Sequence, residues 1–236
     1  LHTYIIIVVA LLCTASAAHA TPAGDKTLAL TMAKTAADAL KAGKHGLAAQ
    51  MFSEALKLDP QQHDYLYGLA RAEHLSGDTT AAERDYRRFL AQTKGHRAEA
   101  KVRRHLAALV GKRCSRAQAR GAWAQATNCY TETTQIEPSN AGWRQSLAEV
   151  GSQAMLSGDQ TSALTAYATL RRLEPTEPKH ILRQARAYRA KGDLDAAQRS
   201  YREVLTLTPD SPAGRRAKVA LAEVMALKAK RARPAV

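Results

Sequence analysis

Four basic residues are spaced so that one face of a helix would carry all of them. Successive members lie four, three and three residues apart, and they are Lys179, Arg183, Arg186 and Arg189. Residues three or four apart are neighbours on a helix surface. Such a stripe of cations can bind the carboxylate, phosphate or sulfate groups of a ligand, and a solvated charged face is the alternative. We take the four as a candidate site for an acidic ligand.

A second candidate site combines aromatic and basic side chains. Tyr67 and Arg71 lie four residues apart, close to Tyr65. Aromatic rings beside a guanidinium can stack against a ligand, and ordinary packing of the rings is the alternative. We include Tyr67 and Arg71 among the candidate partner-binding residues.

No set of residues has the spacing of a catalytic or metal site. The eight histidines include no His-Glu-x-x-His sequence and no cysteine or carboxylate companions at metal-ligand intervals. No glycine-rich phosphate loop follows a strand-like segment. We therefore expect a protein that is not an enzyme and that needs neither a cofactor nor a metal.

The chain is strongly basic, with 35 lysines and arginines against 21 acids and a net charge of +14. Nine of the basic residues lie between Lys94 and Arg120, a segment that holds a single acid. A basic surface attracts anions. The possible partners are an acidic protein or peptide, an anionic polysaccharide, lipid headgroups and nucleic acid.

The first twenty residues have the pattern of a secretory signal peptide. An apolar run from Tyr4 to Cys13 is followed by small residues that end in Ala18-His19-Ala20. The run is shorter than the roughly 17–25 residues that a membrane-spanning helix needs. We expect cleavage after Ala20, no transmembrane span in the mature chain and a periplasmic or secreted protein, with a retained anchor as the alternative. Export disfavours nucleic acid as the partner.

A repeating unit organises the rest of the chain. Five glycines are each followed by an alanine after five residues and by an aromatic ring after nine. The glycines are Gly43, Gly77, Gly121, Gly158 and Gly192; the alanines are Ala48, Ala82, Ala126, Ala163 and Ala197; the rings are Phe52, Tyr86, Tyr130, Tyr167 and Tyr201. Seventeen residues after the glycine there is a proline in every unit except the second, which has Lys94.

This spacing predicts helical hairpins. Glycine can turn the chain between two helices, and the aspartates that follow it at Asp78, Asp159 and Asp193 can cap the next helix. The alanine and the ring are four residues apart and share a helix face, and the proline ends the helix. A pair of helices this short leaves an apolar face uncovered, so the units must stack on one another.

The pattern resembles the tetratricopeptide repeat family, whose unit is a helix-turn-helix of 34 residues. The resemblance implies an all-α fold, a right-handed solenoid of about five repeats closed by a C-terminal capping helix. We place the repeat domain at 21–211, and the extra residues of the middle repeats lengthen their first helices to about 96–120 and 141–157. The predicted repeats are 29–62, 63–96, 97–140, 141–177 and 178–211, and the capping helix and basic tail are 212–236.

The two cysteines after the signal-like segment are predicted to form a disulfide. Cys114 lies seven residues before Gly121 and Cys129 eight residues after it, so an antiparallel hairpin would place them at one level. A disulfide requires Cα atoms about 4.4–6.8 Å apart, and an exported protein meets oxidising conditions. Two unpaired cysteines are the alternative.

The resemblance also implies a function. In this family the first helix of each repeat lines a concave groove, and Lys179 and Arg183 resemble the basic residues that grip a peptide's terminal carboxylate. The matching positions of the first repeat are Ala33 and Ala37. We predict a non-enzymatic scaffold of the bacterial cell envelope that binds a peptide or protein, acidic in character, in its groove. The alternative is a charge-driven binder of an anionic polymer or surface.

Overall fold

The structure, a computed structural model, describes residues 22–232. This part of the chain contains eleven α-helices and no strand. The predicted signal peptide and Cys13 lie outside the described residues. The helices form two compact units, one up to His96 and the other from Arg97 onward.

The first unit consists of four helices. They are α1 (Pro22–Lys41), α2 (His45–Leu58), α3 (His63–Ser76) and α4 (Thr79–Gln92). Each helix packs against the next one in the sequence. This consecutive pairing is what short amphipathic helices joined by tight turns are expected to do.

The second unit consists of seven helices. They are α5 (Glu99–Ala119), α6 (Trp123–Ile136), α7 (Ala141–Leu156), α8 (Gln160–Leu173), α9 (Pro178–Lys191), α10 (Leu194–Leu207) and α11 (Pro212–Ala232). Consecutive helices pack together here too, and α9 also contacts α11. The long first helices expected near 96–120 and 141–157 are α5 and α7. The predicted all-α architecture of consecutive helix pairs is confirmed, while the boundaries of the repeats stay predictions.

The turns inside the helix pairs follow from the residues found there. All five repeated glycines have a positive φ, between 68° and 92°, a conformation that only glycine adopts without strain. The three aspartates after them cap the following helix as predicted. Asp78, Asp159 and Asp193 accept backbone N–H bonds from the residue three positions on, at 2.9–3.0 Å. These caps stabilise the start of the second helix in their hairpins.

The alanine and the ring of each unit lie in the core. The five alanines are fully buried, and every ring is at most 7% exposed. A small side chain lets the paired helices approach, and the ring one turn further on fills the space beside that contact. A helix that packs against one of these rings needs a small residue at the point of contact. Added Cβ atoms on Gly68 and Gly151 would lie 2.5 Å and 2.9 Å from the rings of Phe52 and Tyr167.

The last helix, α11, closes the core of the second unit. Ala217 and Val224 are fully buried and pack in one cluster with Ile181 of α9 and Tyr201 of α10. Helix α11 also keeps apolar residues in solvent, among them Val219 at 63% exposure. The helix therefore covers the preceding pair on one side.

Cys114 of α5 and Cys129 of α6 are joined by a disulfide in the structure, with their Cα atoms 5.3 Å apart. Both side chains are buried, at 0% and 6% exposure. The bond links the two helices of one hairpin near the middle of their contact. Its place in a packed core indicates a structural role.

Within residues 22–232, none of the helices combines the length and the apolar composition that crossing a membrane requires.

Candidate binding groove

Helix α9 carries the four predicted basic residues on the side that faces away from the core. Ile181 and Ala185 are fully buried and fix the orientation of the helix. Lys179, Arg186 and Arg189 are exposed, and Arg183 is half-buried. The stripe inferred from the spacing therefore exists as one face of α9.

The N-terminal half of the stripe lines a cavity of about 600 Å³ between α7 and α9. Lys179 and Arg183 enter it from α9, and Arg144 and Ser152 enter it from α7. A cavity of this size falls in the range of ligand sites, roughly 300–1,000 Å³. The basic residues of the cavity come from two helices, α7 and α9. The position of α7 relative to α9 therefore determines how much positive charge the cavity has.

Three coupled side chains form one wall of this first cavity. The Nε of Arg144 donates to Oε1 of Glu174 at 2.9 Å, and the Nε2 of His180 lies 2.6 Å from Oε2 of the same carboxylate. The hydrogen bond from His180, aided by Arg144, holds the pKa of Glu174 below its usual value against the opposing effect of burial. Glu174 is therefore ionised and already satisfied by two donors.

His180 is only 2% exposed. Burial lowers its pKa, and this effect outweighs the opposing attraction of Glu174. The imidazole is therefore neutral at pH 7, and because a carboxylate can only accept, Nε2 carries the proton that is donated to Glu174. The other ring nitrogen, Nδ1, is buried without a hydrogen-bond partner among the described residues.

Arg183 has no carboxylate partner within the described part of the chain. Glu174 is occupied by Arg144 and His180, and Lys179 lies 3.4 Å from Glu177. A half-buried cation has lost part of its hydration and gains most from an anion brought by a ligand. The cavity therefore contains one guanidinium, that of Arg183, without a carboxylate partner among the described residues, and the carboxylate of Glu149 also lines it.

The C-terminal half of the stripe lines a second cavity, of about 670 Å³, between α9 and α11. Arg186 and Arg189 line it together with the apolar side chains of Met155 and Val219. Arg189 forms an ion pair with Glu223 of α11. The four predicted residues are therefore divided between two cavities, two residues to each.

Tyr67 and Arg71 lie on α3 in the first unit, and are not part of the α9 surface. Tyr67 is half-buried, and its ring centre is 6.0 Å from that of Phe89 on α4. Packing of α3 on α4 explains its position. Arg71 is exposed on the same helix.

The first unit also contains a buried acidic pair that the sequence pattern did not single out. Glu73 of α3 is 9% exposed and Asp85 of α4 is 3% exposed. Arg84 reaches both carboxylates, at 2.8 Å from Asp85 and 3.6 Å from Glu73. Burial, reinforced by the charge of Asp85, raises the pKa of Glu73 to about 7 in spite of the arginine.

Two segments of the chain match family models described as tetratricopeptide repeat, at residues 34–101 and 181–211. The chain is a tetratricopeptide repeat protein. The second match includes most of α9 and all of α10, so the basic stripe lies largely inside a recognised repeat. No curated protein matches the chain.

Several solved structures of tetratricopeptide repeat proteins are similar to this one. A thermophilic protein from Thermus thermophilus is 21% identical, with 84% of this chain and 98% of that chain covered and a TM-score of 0.36. MamA is 15% identical, with 77% and 92% covered and a TM-score of 0.37. The first repeat domain of Spaghetti, bound to an HSP90 peptide, is 20% identical, with 52% and 93% covered and a TM-score of 0.38. At these identities and TM-scores the likeness carries no argument about function.

Sequence reasoning missed the groove residues of this tetratricopeptide repeat protein that lie outside the α9 stripe. Arg144, Glu174 and His180 are brought together by the stacking of consecutive repeats. Arg144 and His180 lie near the starts of α7 and α9, whereas Glu174 directly follows the end of α8, and no spacing in the sequence links the three. Arg215 and Arg216, which also line the second cavity, were missed because they belong to the capping helix, which departs from the repeat pattern.

Proposed function

We propose that this tetratricopeptide repeat protein is a non-enzymatic interaction scaffold that binds an acidic segment of a peptide or protein along α9. The observation that carries the proposal is Arg183, a half-buried cation in a ligand-sized cavity with no carboxylate partner among the described residues. Lys179 at one side and Arg186 at the other extend the same face. A ligand carboxylate would supply the missing counter-charge.

The test compares two charge reversals of equal size. One variant carries Lys179→Glu, Arg183→Glu and Arg186→Glu. The control carries Lys101→Glu, Arg104→Glu and Arg116→Glu, three exposed cations of α5. Both change the net charge by the same amount with the same residue types, so only the position of the charges differs.

The probe is a fluorescein-labelled heptapeptide with three aspartates on either side of a central alanine, the alanine peptide. Fluorescence anisotropy at 0.1 M salt should show at least a tenfold weaker affinity for the α9 variant. The control should change affinity by less than about threefold, because charges further than the Debye length of about 10 Å are largely screened. Equal losses in the two variants would reject α9 as the site.

A second candidate function is supported by α5. Five exposed cations of this helix and its end have no acidic partner within the described residues, and they are Lys101, Arg104, Lys112, Arg116 and Arg120. At 1.5 Å per residue the stripe extends over roughly 25–30 Å. A linear array of this kind would suit an anionic polysaccharide or lipid headgroups. If the protein has this function, the variant with Lys101, Arg104 and Arg116 changed to Glu should lose most of its retention on immobilised dextran sulfate. The α9 variant should keep its retention.

We further propose that the protein works outside the cytoplasm, in the bacterial cell envelope or as a secreted protein. The apolar run and the Ala18-His19-Ala20 pattern support this location, and a disulfide-bonded hairpin suits an oxidising compartment. Protein purified from the cells that make it should begin at Thr21 on N-terminal sequencing. Recovery in the cytoplasmic fraction with residues 1–20 attached would contradict the proposal.

A further inference from the structure

The cavity between α9 and α11 has an apolar floor, which distinguishes it from the cavity on the other side of α9. Val219 of α11 is 63% exposed, the most exposed β-branched apolar residue in the described part of the chain. It faces the cavity together with Met155 and Ala220, both half-buried, and the exposed Ala190. These side chains present aliphatic surface from three helices around one depression.

Four arginines line the same cavity, Arg186, Arg189, Arg215 and Arg216. Arg186 and Arg216 form no ion pair among the described residues, and Arg215 donates to the backbone oxygen of Asp210 at 2.7 Å and to no carboxylate. In the described part of the chain, Arg189 is the one arginine of this cavity that is paired with an acid, Glu223. Three guanidinium groups at the edge of the cavity therefore keep donors for a ligand.

Arg186 also departs from the internal pattern of its own unit. In the two preceding hairpins the residue fifteen positions before the buried tyrosine is a serine that meets its hydroxyl, Ser115 with Tyr130 at 3.1 Å and Ser152 with Tyr167 at 3.3 Å. Arg186 holds this position before Tyr201, yet the Tyr201 hydroxyl is buried without a partner among the described residues. The arginine thus replaces an internal hydrogen-bond partner without acting as one.

We propose that this cavity receives one aliphatic side chain of the acidic segment, while carboxylates on either side of that side chain bind Arg186, Arg215 and Arg216. The inference rests on the proposed function and names the sequence that the site selects, a branched aliphatic residue flanked by acids. Apolar burial supplies affinity, and the surrounding arginines give register and specificity. A segment that contains only acidic residues would leave the apolar side chains of the cavity exposed to water.

The experiment adds a leucine peptide, identical to the alanine peptide except for its central leucine. Wild-type protein should bind the leucine peptide about tenfold more tightly, as expected for burying the larger aliphatic side chain. Both affinities are measured by fluorescence anisotropy at 0.1 M salt.

Three variants, one of them a control, locate the leucine preference. Ala190→Leu fills the cavity from α9, and Ala168→Leu is the matched control on the exposed side of α8. Ala190→Leu should reduce the leucine preference below twofold, while Ala168→Leu should keep the preference. Val219→Ser, at an exposed position with little effect on folding, should also reduce it.

The outcomes separate the two proposals. Equal binding of the two peptides by the wild-type protein overturns this inference and leaves the acidic groove standing. A leucine preference that survives in Ala190→Leu overturns it too, because the anchor then lies elsewhere. No measurable binding of either peptide at 0.1 M salt overturns both.

Discussion

At the scale of single residues, two carboxylates, Glu174 in the second unit and Glu73 in the first, differ in how many hydrogen-bond donors they have. Glu174 stays ionised beside the groove because Arg144 and His180 both donate to it. The ion pair of Glu73 is weaker, because Arg84 lies 3.6 Å from Glu73 and binds Asp85 more closely, at 2.8 Å. Burial therefore raises the pKa of Glu73 to about 7, and one oxygen, Oε2, has no partner among the described residues.

Glu73 makes stability depend on pH, and the sign follows from the direction of its shift. The folded state binds the Glu73 proton up to pH of about 7, whereas the unfolded chain releases it near 4.5. The contribution is therefore greatest below the unfolded pKa and is lost as pH rises through 7. Glu73→Gln, which keeps a donor beside Asp85, should raise the free energy of unfolding at pH 8 by about 1–3 kcal/mol.

The measurement is urea unfolding of the variant and the wild type at pH 5 and pH 8. The gain should be small at pH 5, where Glu73 of the wild type is already neutral. Glu54→Gln is the control in the same unit, because Glu54 is exposed and paired with Lys57, which is exposed too. It should change stability by less than about 0.5 kcal/mol at both pH values. An equal gain from Glu73→Gln at both pH values would refute the titration.

Residue types and spacing were sufficient to predict several of these local features. Glycines at the turns and aspartate caps after them follow from the backbone preferences of those residues alone. The acidic pair of Glu73 and Asp85 could not be predicted in this way. Both residues look like ordinary surface positions of amphipathic helices, and only the rotation of α3 against α4 places them face to face inside the unit.

Close helix approach is set by small residues at the scale of the helices. An added Cβ on Gly68 of α3 would meet the Phe52 ring at 2.5 Å, while one on Gly46 of α2 would meet no atom within 4 Å. Alanine is favoured over glycine in helices by about 0.5–1 kcal/mol. The two glycines therefore allow the same substitution to be tested with and without a packing cost.

Gly46→Ala should stabilise the protein by about 0.5 kcal/mol. Gly68→Ala should destabilise it by about 1–2 kcal/mol, because overpacking against a ring outweighs the helix propensity. The midpoints of thermal unfolding of the two variants should move in opposite directions. Stabilisation by both substitutions would contradict this prediction, because it would show that the Phe52 ring can move aside without loss of folding free energy.

The disulfide between α5 and α6 should contribute to stability through the loop that it closes. Cys114 and Cys129 are fifteen residues apart, and closing a loop of this length contributes about 3 kcal/mol in the chain-entropy model. Replacing both cysteines with alanine should lower the free energy of unfolding by roughly that amount. Mass spectrometry without reductant gives the control, and two free thiols in the wild type would contradict the bond itself.

The helices themselves were largely predictable, because the same spacing of glycine, alanine and aromatic residue occurs five times in the sequence. Five agreeing occurrences make the prediction of each hairpin more secure. The lengthened α5 and α7 followed from the glycine spacing once the repeat was recognised. The charge partners of the helices could not be predicted. Arg189 pairs with Glu223, 34 residues later, and Arg113 pairs with Glu132 across the α5–α6 turn. A helical stripe inferred from spacing does not tell which of its cations are already neutralised.

The net charge of +14 belongs to the whole molecule, yet the two proposed functions use different parts of it. Binding of the alanine peptide along α9 uses three cations, Lys179, Arg183 and Arg186, without the Arg215 and Arg216 that a segment seated in the second cavity adds. Binding of an anionic polymer uses the five exposed cations along α5. Because each neutralised polymer charge releases a condensed counterion, the salt dependence of affinity reports roughly how many cations take part.

We expect the two ligands to respond differently to salt. Raising salt from 50 to 200 mM should weaken dextran sulfate binding about five-hundredfold if five cations take part, and binding of the alanine peptide by no more than about fortyfold if only the three α9 cations do. The variant with Lys101, Arg104 and Arg116 changed to Glu should flatten the salt dependence for the polymer and leave that for the peptide unchanged. Isothermal titration over four salt concentrations measures both slopes. A peptide slope that changes with the α5 cations would mean that the charge of the whole molecule, rather than the α9 groove, holds the acidic ligand.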